Sequence, residues 1–241
     1  PHLPYVGMSA FTHKAGMHVA AVRKDEDSYQ HVPPQVVGNR RRILVSELSG
    51  RSNILEMAQA LALTLDTETD EAQRIAQKVK QQESRGFQFE TAEASFELLV
   101  RRDQPGYRPP FELLDYKVLV EKGARVPSAL GVGNVFAEAI VRVKVDGEII
   151  HTVAEGNGPV NALDLALRKA LLHNYPALAE VELLDYKARI VEESHGTAAQ
   201  IRVFITSAAG EHRWRTMGAS TNIIESSWLA LADGLEYWLL K

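Results

Sequence analysis

From residue 112 onward the chain alternates apolar and polar side chains in separate runs. Tyr116, Val118 and Val120 fall on one side of an extended strand, with Lys117 and Glu121 on the other. Ala137, Ala139, Val141, Val143 and Val145 oppose Glu138, Arg142 and Lys144 in the same way. Tyr186, Ala188 and Ile190 oppose Lys187 and Arg189, and Ile201, Val203 and Ile205 oppose Arg202. A period of two with one apolar face predicts antiparallel strands, covered on one side and wet on the other. Two stripes at helical spacing supply the cover: Leu163, Leu167 and Leu171, then Ile224, Trp228, Leu231, Leu235 and Trp238. Turns are expected at Gly147-Glu148 and Gly210-Glu211.

The two halves of this region begin with the same six residues. Glu112-Leu-Leu-Asp-Tyr-Lys117 returns unchanged as Glu182-Leu-Leu-Asp-Tyr-Lys187. The following strands, turn, corner and helix return in pattern, so a strand-strand-strand-helix unit is duplicated. The predicted class is α+β: two βββα units, residues 111–173 and 181–241, related by an approximate twofold. Such units pack best against each other or against a second copy of the chain. The glycine-bearing stretch Gly123 to Asn134 is expected to be a mobile loop.

Upstream the period is helical. Ile54, Met57, Ala58 and Leu61 follow a cap at Ser52 or Asn53. Thr69 to Ser84 carries acids in its first turn, Ile75 and Val79 on its inner face, and Gly86 beyond its end. Thr91 to Arg102 carries Phe96, Leu99 and Val100. Near the start, Thr12 caps a short helix with Ala15, Val19 and Val22 on one face; Pro33-Pro34 opens another, and Arg42 to Glu47 reads as a brief strand. Pro105-Gly106 and Pro109-Pro110 then stop the helices. Residues 1–105 are therefore expected to form mostly helical linker subdomains, with a boundary near that point.

The net charge of -4 offers no general attraction to nucleic acid or to anionic membranes. There is no cysteine, which excludes thiolate metal sites and suits the cytoplasm. No apolar run is long enough to span a bilayer. The chain opens on Pro1 without a signal-peptide pattern, as a piece of a longer protein would. His13 and His18 stand five apart, about 140° around a helix, and so make no same-face metal pair. Asn39-Arg-Arg-Arg42 lacks the aromatic residues of a nucleic-acid footprint and reads as a solvated face or a clamp on one carboxylate. Glu155-Gly-Asn-Gly-Pro159 precedes a helix. It is either a tight strand-to-helix corner or a place where exposed N–H groups receive a carboxylate. Its counterpart, Ser220 to Glu225, reads as a helix cap, with Glu225 three residues after Asn222.

Five blocks carry a resemblance over nearly the whole chain: FTHKAGMHVAAVRK, VGNRRRILVSELSGRSNIL, EGNGPVNALDLALRKAL, HGTAAQIRV and STNIIESSWLALADGLEYWLL. Together they resemble the C-terminal half of the citramalate synthases, close kin of the 2-isopropylmalate and homocitrate synthases. The resemblance implies an acyltransferase with an N-terminal barrel, a linker and a regulatory domain that forms a homodimer. It implies condensation of acetyl-CoA with pyruvate on a divalent metal held by the barrel, so this segment should bind no cofactor and be inactive alone. His18 matches a linker histidine that enters the neighbouring protomer's active site, and Tyr29, the other expected catalytic residue, matches the tyrosine that follows it. Gly156, Gly158 and Asn161, with Leu183, Tyr186 and Ile190, match the site for a branched-chain amino acid effector, isoleucine being favoured. The alternatives are a leucine-regulated 2-isopropylmalate synthase and a stand-alone amino-acid sensor.

Overall fold

The computed structural model describes residues 71–122, 135–191, 196 and 198–241, and from the first seventy residues 5, 10–13, 32–39 and 42–43. His18, Tyr29, the expected helix after Ser52 and the loop from Gly123 to Asn134 lie outside the described residues. The chain divides into two compact units, Pro1–Gln104 and Pro105–Lys241.

In the first unit, β1 (Thr12–His13) pairs in parallel with β2 (Arg42–Ile43). Thr12, expected to cap a helix, is thus a strand residue: its backbone is engaged by a segment thirty positions away, a long-range pairing that overrides its local capping preference. Pro34–Val37 is a single 3-10 turn, entered through Pro33 and closed by left-handed Gly38. Helices α1 (Glu71–Ser84) and α2 (Glu93–Arg101), with the turn between them, bury Ala72, Ile75, Val79, Phe89, Phe96 and Val100 in one cluster. Gly86, at φ 92°, ends α1 as its position predicted. The Phe89 ring meets Phe96 edge-on at 6.4 Å. Thr91, expected to begin α2, instead closes a separate 3-10 turn, Phe89–Thr91.

Among its described residues the second unit forms two three-stranded antiparallel sheets, two long helices and a 3-10 segment, Pro176–Glu180. Strands β3 (Glu112–Lys122), β4 (Val135–Val145) and β5 (Glu148–Gly156) pair in that order and lead into α3 (Pro159–Leu171). Strands β6 (Glu182–Ile190), β7 (Ile201–Ala209) and β8 (His212–Ser220) do the same and lead into α4 (Ile223–Leu239). The alternation of β4 is realised in full: Ala137, Ala139, Val141 and Val143 are completely buried, while Arg142 and Lys144 are exposed. The β4–β5 turn is Asp146-Gly147, one residue earlier than expected. Both residues have positive φ, 49° and 91°, which matches the twist of a two-residue hairpin.

The duplication is visible atom by atom. Thr152 Oγ1 donates to the Ala166 carbonyl at 2.7 Å, and Thr216 Oγ1 donates to the Ala230 carbonyl at 2.7 Å. Each bond pins a helix to the third strand of its own sheet at the same register. Both hexapeptides carry the same irregularity, a bulge between Leu113 and Asp115 in β3 and between Leu183 and Asp185 in β6. The two βββα units also exchange contacts. Tyr116 of the first stacks on Trp228 of the second at 5.3 Å, and Val160 at the start of α3 packs on the second unit's cluster of Val203, Ile205, Ala230 and Leu231. The cross-contacts differ in detail: both repeated tyrosines reach α4, Tyr116 at Glu225 of the other unit and Tyr186 at Ser227 of its own.

Candidate functional site

The bulge decides which side chains of the repeated strand act together. Leu183, Tyr186 and Ile190 are spaced three and four apart, so a regular strand would place Leu183 on the opposite face from the other two. The extra residue corrects this. Leu183 lies opposite Ser207, Tyr186 opposite Ile205 and Ile190 opposite Ile201, all alternate positions of β7. The three therefore share the helix-covered face of the sheet. Tyr186 is half-buried there, packed on the same cluster as Val160, and its hydroxyl is 2.8 Å from Ser227 Oγ. Leu183 and Ile190 lie towards the strand ends, where cover runs out, and keep 36% and 61% of their surface.

Val160 ties this face to the glycine corner. It follows Pro159, the first residue of α3, and precedes Asn161. The helix cap is Gly158, in extended conformation, and no side chain caps the helix start. An uncapped helix start, at the positive end of the helix dipole, has the elements of a carboxylate site. Asn161 Oδ1 accepts from the Asn157 N–H at 3.2 Å and braces the loop.

The two glycines have different tasks. A Cβ on Gly156 would lie 2.5 Å from the Ala162 nitrogen and 2.7 Å from Asn161 Oδ1, so this glycine lets the strand end touch the helix. A Cβ on Gly158 would meet nothing within 4 Å. Gly156 is thus a packing residue, whereas Gly158 borders open space. Among the six expected effector residues, Gly158 and Asn161 flank Val160, which packs on the same cluster as Tyr186, and Leu183, Tyr186 and Ile190 share one face of β6.

The equivalent corner of the second βββα unit is closed. Asn222 Oδ1 accepts from the Ile224 N–H at 2.8 Å and the Glu225 N–H at 3.4 Å. Glu225 does not complete the reciprocal cap expected of it, because Ser220 Oγ already accepts from the Asn222 N–H at 3.1 Å. Its carboxylate instead receives the Tyr116 hydroxyl at 2.6 Å, with the Trp228 ring stacked on Tyr116. Burial and the adjacent carboxylate hold the Tyr116 phenol well above its ordinary range. No periodicity signals this tie, since its partners are 109 positions apart; the one hint is an acid three residues past a cap.

Beside the open corner, Asp164 and Arg168 pair along α3, with Nε 2.9 and 3.0 Å from the two carboxylate oxygens. Burial raises the Asp164 carboxyl above the usual carboxylate range despite the arginine. On the outer sheet face, Asp115 is held below that range by its hydrogen bond from Arg142. Among the described residues no three His, Cys, Asp or Glu side chains group as metal ligands, and no helix is long and apolar enough to cross a membrane.

The class defined by these features is a duplicated α+β domain of two sheet-and-helix units, one with its helix start capped by a side chain and one without. The chain belongs to the family of the LeuA allosteric (dimerisation) domain, which matches residues 90–239. Residues 5–86 match the homocitrate synthase post-HMGL domain-like family. The chain is similar to the (R)-citramalate synthase of Geobacter sulfurreducens, 49% identical over 240 residues, covering 100% of this chain and 44% of the relative. It is 45% identical over 240 residues to the (R)-citramalate synthase of Aquifex aeolicus, again 44% of the relative. It is also 45% identical to that of Synechocystis, over 99% of the chain and 43% of the relative. The chain thus spans less than half the length of the curated relatives it matches.

Proposed function

We propose that this chain is the C-terminal linker and regulatory part of a citramalate synthase, a cytoplasmic acyltransferase that condenses acetyl-CoA with pyruvate. The observation that carries the reading is the end-to-end match to (R)-citramalate synthases, 49% identical in the Geobacter case, in a chain whose second unit belongs to an allosteric domain family. The divalent metal and the base that removes the acetyl proton would belong to the remainder of the enzyme. This segment's contribution to the reaction would be His18, with Tyr29, reaching the neighbouring protomer's active site as acid/base or orienting groups.

The regulatory site is formed by the glycine corner and β6. A free amino acid's carboxylate takes the first-turn donors of α3 beyond Gly158, with Asn161 alongside, and its branched side chain lies against Leu183, Tyr186 and Ile190. Isoleucine is the favoured effector. The uncovered apolar residues of the first strands support a homodimer: Leu113 and Val120 keep 38% and 52% exposure, and Leu183 and Ile190 repeat the pattern. A second copy laid over these strands would cover them and close the effector's surroundings.

Calorimetric titration of the purified chain with isoleucine, leucine and valine tests the site. Isoleucine is expected to bind most tightly, and absence of heat with all three would remove the regulatory assignment. The full-length protein should consume pyruvate in preference to 2-oxoisovalerate; the reverse preference, with leucine inhibition, would make it a 2-isopropylmalate synthase. His18→Ala in that protein should abolish condensation while leaving amino-acid binding intact.

A further inference from the structure

Arg168 joins two kinds of contact. Its Nε faces Asp164 on the same helix, and its Nη1 leaves the helix to donate to the Val181 carbonyl at 2.7 Å and the Leu178 carbonyl at 3.4 Å. Val181, nearly buried, immediately precedes β6. The helix that begins at the glycine corner is therefore tied by one guanidinium to the residue from which the Leu183–Tyr186–Ile190 strand departs.

The pair is largely buried, with side-chain exposures of 16% for Arg168 and 14% for Asp164. A buried ion pair is a poor source of net stability but a good source of fixed geometry, because any other arrangement leaves a charge unpaired. The planar fork of arginine satisfies a carboxylate and a carbonyl at once; lysine, a single point donor, cannot reproduce both. Nor is the tie a property of the repeated unit. The matching threonine-to-carbonyl bonds place α3 and α4 at the same register on their sheets. At that register Trp228 and Ala232 stand where Asp164 and Arg168 stand, and neither can form an ion pair. The tie belongs to the helix whose corner is uncapped.

We propose that Arg168, held by Asp164, is a positioning residue that sets the spacing between the glycine corner and the β6 face, and so tunes affinity for the amino-acid effector. This rests on the regulatory reading above. The test compares the 241-residue chain with Arg168→Lys and with Asp164→Asn, by amide hydrogen exchange without ligand and by titration with isoleucine. In Arg168→Lys, exchange should speed up at the start of β6, residues 182–186, while β7 and β8 amides keep their protection. Isoleucine affinity should fall roughly tenfold, about what loss of one well-made polar contact removes. Asp164→Asn should move both readouts in the same direction and less far. A merely structural arginine would lower protection across the whole sheet and leave the affinity of the folded protein unchanged, and that result overturns the proposal. Unchanged exchange at residues 182–186 overturns it too. If the unaltered chain binds no branched-chain amino acid, the regulatory reading fails, and the exchange pattern still decides whether Arg168 sets the strand.

Discussion

Adding one methyl group at Gly156 or at Gly158 separates the two functions compressed into the glycine corner. At Gly156 the new Cβ would lie 2.5 Å from the Ala162 nitrogen and 2.9 Å from the Ala162 Cα. Both are backbone atoms, so no side-chain rotation relieves the clash, and the strand end and helix start must part. Overpacking of this kind costs about 1–3 kcal/mol. The reduced freedom of the unfolded chain returns about 0.4–1 kcal/mol. With the overpacking cost at the upper end of that range, because both partners are backbone atoms, a net loss of about 2 kcal/mol is expected for Gly156→Ala, which lowers Tm by roughly 4–8 °C for a chain of this size. At Gly158 nothing lies within 4 Å and the backbone is extended, so the methyl group fits without strain. The cost there is the poorer capping of alanine, about 1 kcal/mol at most, partly offset by the same entropic gain. Thermal and urea unfolding should therefore show a marked loss for Gly156→Ala and little change for Gly158→Ala. Titration with isoleucine should reverse the emphasis, the Gly158 variant remaining folded but binding weakly. A Gly156→Ala protein as stable as the parent would refute the packing argument.

Other outcomes follow from the same contacts. Tyr116→Phe and Glu225→Gln in a double-mutant cycle should show a coupling of about 1 kcal/mol, below the roughly 1.5–3 kcal/mol typical of hydrogen bonds to charged groups because the pair is only part-buried. With the folded phenol raised above its unfolded value, this contribution is complete at neutral pH. It starts to be lost as pH rises above about 10, where the unfolded tyrosine ionises, and is gone once the folded phenol ionises too. Stability measured from about pH 8 to 11 should fall less steeply in Tyr116→Phe. Thr152→Val and Thr216→Val should each cost about 1 kcal/mol by leaving a helix carbonyl without its strand donor, and chemical denaturation should find the two losses additive. Asn222→Ala should cost about 1 kcal/mol through loss of the α4 cap, read by the same denaturation, while Gly158, which caps α3 without a side chain, offers no such bond to remove.

Much of the second unit was legible because its signals are local and occur twice. The identical hexapeptides set the repeat, the alternation of β4 set the buried face, and the stripes on α3 and α4 set the cover. The bulge was not legible, since no glycine marks it and it arises from pairing with β7. Yet it is what makes the three-and-four spacing of Leu183, Tyr186 and Ile190 compatible with one strand face. Glu225 illustrates the opposite error. Its position three residues past Asn222 satisfied a capping pattern, but Ser220 already fills that role and the carboxylate turns to a tyrosine on another strand. The four-residue spacing of Asp164 and Arg168 suits a helical ion pair, but nothing in the sequence marks the further reach of Arg168. Its reach to the Val181 carbonyl depends on how the connection between the two βββα units folds back, which no spacing rule records.

The hydrogen bond between Tyr116 and Glu225 has an evolutionary reading as well as an energetic one. The second unit caps its helix start with Asn222, which leaves the Glu225 carboxylate to take a tyrosine from the first unit and clamp the former duplicates together. On the proposed regulatory reading, a guest at the uncapped start of α3 would meet both former duplicates at once, since Val160 there already packs on the core of the second unit.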